Sequence, residues 1–290
     1  MPATDVRFHA NGLSLAGRLY LPSGAGPHPV IVLSHGFSVL RAMGLDDYAA
    51  RFCAAGFACL AYDHRNFGES EGLPRHEIDP WQQVADIRDA ISFVRTLPDI
   101  DAARVGLWGT SFSGGHALVV AALDRRVKCV VSQVPLVAGF DTLKSWVGED
   151  NLPRMIARFN DDRDARYRGE APRVTKPSRP GDQTWAWVEA IGAEALYPNE
   201  ITQRSLENLA SYEPGQYIER VSPTPLLMVL ATQDTQTPYA GQRAAYQRAG
   251  GPKQLLELDC GHYAPYTSHF EQSAQAAVAW FQQHLQLASP

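Results

Sequence analysis

The chain has 290 residues and a mass of 31.9 kDa, and its 26 Lys and Arg against 31 Asp and Glu leave a formal charge of −5 at pH 7. With 45% hydrophobic and 20% charged residues, it can bury about three quarters of its unfolded surface, which excludes disorder as the dominant state and fits one large folded unit. The dispersed basic residues argue against a nucleic-acid partner, and the small acidic balance argues against polyanionic substrates.

In chain order, the first expected element is a hairpin, Val6 to Ala10 and Leu13 to Leu21, with Asn11-Gly12 at its turn. Short apolar runs follow at Val30 to Leu33, Phe57 to Tyr62, Val105 to Trp108, Val127 to Val131 and Leu226 to Leu230. They do not alternate polar and apolar residues, so both faces are expected to be buried, as in a parallel sheet. Helices lie between them. One spans about Asp47 to Ala55 and stops at Gly56. Another starts at Asp79-Pro80 and carries Val84, Ile87, Ile91 and Val94 at helical spacing. A last amphipathic helix carries Phe270, Ala274, Ala277, Val278, Phe281 and Leu285. The alternation predicts an α/β fold with right-handed crossovers. It is interrupted from about Ala138 to Arg220, a stretch with no strand-like run, many charges and repeated prolines, read as a mainly helical insertion.

The sharpest chemical signal is Val105-Gly106-Leu107-Trp108-Gly109-Thr110-Ser111-Phe112-Ser113-Gly114-Gly115. A strand runs into a turn of small residues and then a helix, which would lift the Ser111 hydroxyl above the sheet beside a helix N-terminus. A serine hydroxyl needs a base, usually a histidine oriented by a carboxylate. Asp234 follows the strand ending at Leu230, and His262 follows the last strand, so the order is Ser, Asp, His, with all three at one sheet edge. Asp234 could instead cap the helix after it. The rival acids are Asp141 and, less favourably placed, Asp259.

Together with Leu33-Ser34-His35-Gly36-Phe37 and Tyr62-Asp63-His64-Arg65-Asn66-Phe67-Gly68-Glu69-Ser70, these motifs resemble those of the α/β-hydrolase family over essentially the whole chain. Within it, the elbow is similar to a branch holding bacterial esterases and fungal polyketide acyltransferases or thiohydrolases. The resemblance implies an α/β-hydrolase fold, a mostly parallel central sheet flanked by helices, with residues 1–137 and 221–290 as the core and 138–220 as a helical cap. It further implies a catalytic Ser111, Asp234 and His262, and an oxyanion hole from the backbone N–H groups of Phe37 and Phe112. One departure is Ser113, where the family's elbow has glycine.

The implied activity is cleavage of a small-molecule carboxylic ester or thioester through an acyl-enzyme on Ser111, with no cofactor and no metal. Acyl transfer from the same intermediate is the alternative. A non-catalytic binding protein, a peptidase or a carbon–carbon hydrolase lies further off. His35, Trp146, Trp185, Trp187 and Tyr197 are candidate pocket residues, although His35 could simply brace the oxyanion loop and the tryptophans could be a docking face. Asp63, Arg65 and Ser70 read as a turn held by an ion pair. His64, His76, His116 and His269 lack metal-like spacing, and Cys53, Cys59, Cys129 and Cys260 read as reduced, packed thiols. With no export signal at Met1 to Arg7 and no run of ~18 to 20 apolar residues, the expectation is a cytoplasmic protein without a membrane partner, a homo-oligomer being left open.

Overall fold

The computed structural model describes residues 3–285. Strands β1 (Ala3–Ala10) and β2 (Leu13–Tyr20) form the expected hairpin. Ala10 faces Leu13, so two residues turn the chain. Asn11 (φ 47°) and Gly12 (φ 81°) both take the left-handed backbone such a turn requires. β3 (His28–Ser34) and α1 (Leu45–Ala54) come next, the helix being followed by Gly56 at φ 95°. After β4 (Ala58–Tyr62) comes α2 (Pro80–Val94), where the Asp79 carboxylate accepts the amides of Trp81 at 3.0 Å and Gln82 at 3.2 Å. That cap satisfies two orphan donors, and Pro80 presets the first helical φ.

The chain then builds β5 (Ile100–Thr110), α3 (Phe112–Leu123) and β6 (Val127–Gln133). Between β6 and the next sheet strand lie α4 (Gly139–Val147), α5 (Leu152–Tyr167), β7 (Val174–Thr175), α6 (Gln183–Ala190), β8 (Ile201–Thr202) and α7 (Gln203–Ala210). Pairing of Val174 with Thr202 and Thr175 with Ile201 is a correction to the strand-free reading of this segment. Two residues per strand are too short to leave a periodic signature. A 3-10 turn at Pro214–Arg220 returns the chain to β9 (Leu226–Ala231), α8 (Tyr239–Arg248), β10 (Lys253–Leu258) and α9 (Phe270–Leu285).

Among the described residues the main sheet has eight strands in the order β1-β2-β4-β3-β5-β6-β9-β10. The β1–β2 and β2–β4 pairs are antiparallel, and every pair from β4 to β10 is parallel. The non-alternating runs bury both faces. On β3, Val30 and Val32 join one core with α2 and α3, whereas Ile31 and Leu33 join a second core with α1 and α9. A third, small cluster joins Trp187, Val188 and Tyr197 to Val39 and Met43 in the loop after β3. It docks the inserted segment over the carboxyl ends of the strands.

The expected turn at Asp63, Arg65 and Ser70 exists, but its ion pair reaches elsewhere. Arg65 donates to Asp86 on α2, with Nε 2.6 Å from Oδ2, inside the protein. Asp63 accepts the Arg41 amide at 2.9 Å through its side chain and the Ser70 hydroxyl at 2.6 Å through its carbonyl. All four cysteines are buried and none forms a disulfide.

Candidate active site

Because β3, β5, β9 and β10 run parallel, the segments leaving their carboxyl ends share one edge of the sheet. Ser111 sits between β5 and α3 with φ 55° and ψ −122°. A side chain in that region costs about 1–3 kcal/mol, so the surroundings must impose it. They do so from both sides of the residue. The Ser111 amide donates to the Gln133 carbonyl at 2.9 Å, while its own carbonyl accepts the amides of Gly114 and Leu136, each at 2.9 Å. The turn is tight enough that a Cβ at Gly109 would lie 2.1 Å from the Ser113 carbonyl oxygen.

Ser111 Oγ lies 3.0 Å from His262 Nε2, and His262 Nδ1 lies 2.7 Å from Asp234 Oδ2. Asp234 also accepts the amides of Gln236 at 2.8 Å and Thr237 at 2.9 Å, the Thr237 hydroxyl at 2.9 Å and the Gln242 amide nitrogen at 3.1 Å. Burial by itself would raise the Asp234 carboxyl, but His262 and the amide and hydroxyl of Thr237 outweigh it and hold the group below the usual carboxylate range. The carboxylate is therefore ionised at neutral pH. It stands as the acceptor for His262 Nδ1, an arrangement that turns Nε2 toward the Ser111 hydroxyl.

Asp234 does not cap α8, whose N-terminus receives no side-chain cap; its Oδ1 anchors the turn before that helix and its Oδ2 faces the imidazole. Neither rival acid reaches His262. Asp141 is exposed in the first turn of α4, and Asp259 is an exposed acceptor for Thr232 and Gln233. Ser113 is fully buried, and its hydroxyl faces His64 Nε2 at 2.9 Å rather than His262.

Gly36 packs against the nucleophile candidate: a Cβ there would lie 3.2 Å from Ser111 Cβ and 3.6 Å from its Oγ. Phe37 follows Gly36 in this loop, and Phe112 follows Ser111 as the first residue of α3. Their rings meet edge to face with centroids 5.2 Å apart. His35 lies behind this loop. Its Nδ1 donates to the Gly36 carbonyl at 3.0 Å and its Nε2 accepts the His64 amide at 3.0 Å. Burial pushes His35 and His64 below the usual histidine range and His116 down to about 3, so all three are neutral supports at pH 7.

A cavity of about 700 Å³ opens above Ser111 and His262, a volume suited to a small organic molecule. Trp146, Trp187 and Tyr197 line it; His35 and Trp185 do not. His35 is buried behind the loop, and Trp185 turns its Nε1–H to Glu189 at 2.6 Å. Trp187 does both of the jobs considered for it, lining the cavity and stacking on Tyr263 with centroids 5.1 Å apart. Sequence reasoning missed Thr237, Gln242, Tyr263 and Tyr266. Thr237 carried a signal in its place three residues after Asp234, where an Asx turn donates back to the carboxylate. Tyr266, whose hydroxyl bonds to Thr110, had none. Among the described residues no group of three or more His, Cys, Asp or Glu is placed to hold a metal ion.

Comparison with known proteins gives this geometry a context. The profile of the X-Pro dipeptidyl-peptidase (S15) family matches residues 11–264. The chain is 34% identical to the quorum-quenching protein AidA of Acinetobacter baumannii (strain MDR-ZJ06) over 81% of this chain and 79% of that protein. It is 32% identical to the polyketide transferase claH of Penicillium crustosum over 96% of each. A thiohydrolase of Eupenicillium brefeldianum is 30% identical over 87% of this chain and 84% of its own. The crystal structure of the α/β hydrolase GrgF from Penicillium sp. sh18 superposes with a TM-score of 0.87 at 27% identity, covering 98% of this chain and 99% of that one.

Proposed function

The chain belongs to the α/β-hydrolase-like X-Pro dipeptidyl-peptidase (S15) family, and from that premise we propose a serine-dependent hydrolase of carboxylic esters or thioesters. The carrying observation is the continuous line from Ser111 Oγ through His262 to Asp234, 3.0 and 2.7 Å, on a serine held in a strained turn at the floor of the cavity. In this reading Ser111 Oγ attacks the substrate carbonyl as His262 Nε2 takes its proton, and the ionised Asp234 stabilises the imidazolium at Nδ1. The tetrahedral oxyanion is held by the amides of Phe37 and Phe112, worth about 3 kcal/mol per donor. His262 then returns its proton to the leaving alcohol or thiol, and water activated by the same imidazole hydrolyses the acyl-enzyme.

Residues 138–220 act in this reading as a helical cap, with the Pro214–Arg220 turn anchoring it against α3 and α8. The family's name raises peptide cleavage, but the cavity disfavours it. An enzyme releasing dipeptides from an N-terminus must receive a free ammonium group, and among the described residues lining the cavity the one carboxylate, Asp182, stands with Arg154, Arg158, Lys176 and Arg179, whose charge repels an ammonium. Acyl transfer is the second reading, supported by the likeness to a polyketide transferase over nearly the full length. The four buried thiols favour a reducing compartment, and we assign the protein to the cytoplasm on that ground.

The test is hydrolysis of 4-nitrophenyl butyrate, with products analysed with and without added alcohol. Hydrolysis by the wild type and its loss in Ser111→Ala are expected. Full activity in Ser111→Ala would overturn the nucleophile, and capture of most acyl groups by dilute alcohol would make the protein a transferase.

A further inference from the structure

The chain as a whole is acidic, with a net charge of −5, yet the mouth of the Ser111 cavity has the opposite sign. Arg154 and Arg158 from α5, with Lys176 and Arg179 from the stretch after β7, line it with exposed side chains. Among the described residues, the Asp182 carboxylate on the same wall forms no ion pair with any of the four and supplies one negative charge against their four positive ones. Its oxygens accept the Ser178 hydroxyl at 2.8 Å, the Trp185 amide at 2.8 Å and the backbone amide of Arg179 at 2.6 Å, which ties it to the start of α6.

Among the described residues the side chains of Arg154, Lys176 and Arg179 have no carboxylate partner, and Arg158 reaches the neutral Gln203 Oε1 at 3.1 Å. The rest of α5 behaves differently. Arg163 pairs with Glu207, and Arg166 reaches Asp162 at 2.8 Å and Glu207 at 2.9 Å. One helix therefore neutralises its arginines away from the cavity and leaves them uncompensated toward it. Arg154 and Arg158 stand four residues apart, where like charges repel and weaken a helix. Folding gains nothing from that placement, whereas an anion at the mouth would offset it.

We infer that this mouth is an anion subsite, and that the substrate cleaved at Ser111 carries a phosphate or carboxylate at its non-reacting end. The inference rests on the reading of Ser111 given above and names the substrate class of that site. Two sources share the chemistry: a phosphate-bearing thiol esterified to an acyl group, and the half-ester of a dicarboxylic acid. The net charge, which argues against polyanionic substrates, averages over a surface whose sign reverses at the cavity.

The experiment uses two substrate pairs that differ in the anionic group: butyryl-coenzyme A against S-butyryl pantetheine, and mono(4-nitrophenyl) glutarate against its methyl ester. For each, kcat/KM is measured in the wild type and in the variant Arg154→Gln/Arg158→Gln/Lys176→Gln/Arg179→Gln, at low and high salt. The wild type is expected to prefer the anionic member of at least one pair, and the variant to lose about tenfold of that preference, mainly in KM. The responding pair identifies phosphate or carboxylate. Should the fourfold variant misfold by circular dichroism, Arg154→Gln/Arg158→Gln carries the same comparison. A second readout is independent of turnover, because Trp146 and Trp187 line the cavity: tryptophan quenching of the Ser111→Ala protein by coenzyme A and by glutarate, with and without the charge changes. Esters cleaved with no change in ratio or quenching would overturn the subsite and leave the hydrolase standing. No cleavage, but quenching that the charge changes abolish, would overturn the hydrolase and leave the subsite standing.

Discussion

The carboxyl edge of the sheet and the inserted segment 138–220 face each other across one cavity, and they are stabilised by different physics. At the sheet edge the groups around Ser111 are buried and multiply hydrogen-bonded: Asp234 accepts five hydrogen bonds including that of His262, and His35 is fixed through both ring nitrogens, although Gln242 Oε1 and His64 Nδ1 beside them have no hydrogen-bond partner among the described residues. The inserted segment buries Leu143, Phe159 and Leu209 in the main core and Trp187 in a small cluster of its own, but its polar groups lie nearer the surface: Glu207 pairs with Arg163 and Arg166, and cations without a carboxylate partner among the described residues face the cavity. A buried hydrogen-bonded network holds its geometry closely, while solvent-screened pairs permit adjustment. On the proposed function, the sheet edge would set the chemistry and the inserted segment what reaches it.

If the contrast is sound, damage to the sheet edge should fall on turnover and damage to the segment on substrate affinity. The largest effect is expected from Asp234→Asn, about a 10⁴-fold loss in kcat through misorientation of His262. Asp141→Asn, by contrast, should remain near wild type, and steady-state kinetics on one aryl ester separate the two. Equal losses in both would dissolve the distinction.

Next comes pH. His35, His64 and His116 are buried and neutral, so the unfolded chain binds protons near 6.5 before the folded one does, and unfolding free energy falls as pH drops through 6.5 toward about 3, the value for His116. Each contributes up to about 1.4 kcal/mol per pH unit in that window. Asp86, raised to about 6 by burial, works in the opposite sense and offsets part of one such contribution. Urea titrations from pH 7 to 4.5 should show steadily lower midpoints. A flat profile would mean that the buried imidazoles are not what the sheet edge depends on.

A smaller effect is expected at the seam. Trp146 donates to the Gln236 carbonyl at 2.8 Å and meets the Phe37 ring at 5.6 Å, so it connects α4 to the loops beside both Asp234 and Ser111. Trp146→Ala should raise KM for apolar acyl esters by about tenfold with a lesser change in kcat. Smallest is Glu207→Ala, which removes the solvent-facing pair to Arg163 and the half-buried one to Arg166, whose guanidinium keeps its contact with Asp162. It should lower stability by at most about 1 kcal/mol, an effect that high salt erases. A thermal scan at two ionic strengths measures it.

Local chemistry made the sheet edge legible in the sequence. The strands are continuous apolar runs, the Asn11-Gly12 turn has its own signature, and Ser111, Asp234 and His262 each follow a strand in an order that the parallel topology brings together. What stayed hidden depends on contacts distant in the chain. Arg65 finds Asp86 on α2, Ser113 finds His64, and both lie far apart in sequence. The four cavity cations come from two stretches separated by β7, and nothing in their spacing indicates a shared surface. In the inserted segment two-residue strands and exposed helices leave little periodicity to read, so Trp185 and Trp187 looked alike although only Trp187 reaches the cavity.

The central claim is that Ser111 is the nucleophile driven by His262 and Asp234. Intact-mass spectrometry after a serine-directed fluorophosphonate tests it most directly. The wild type is expected to gain the mass of a single adduct, Asp234→Asn to gain it far more slowly, and Ser111→Ala to gain none. An adduct on Ser111→Ala, or none on the wild type, would contradict the account.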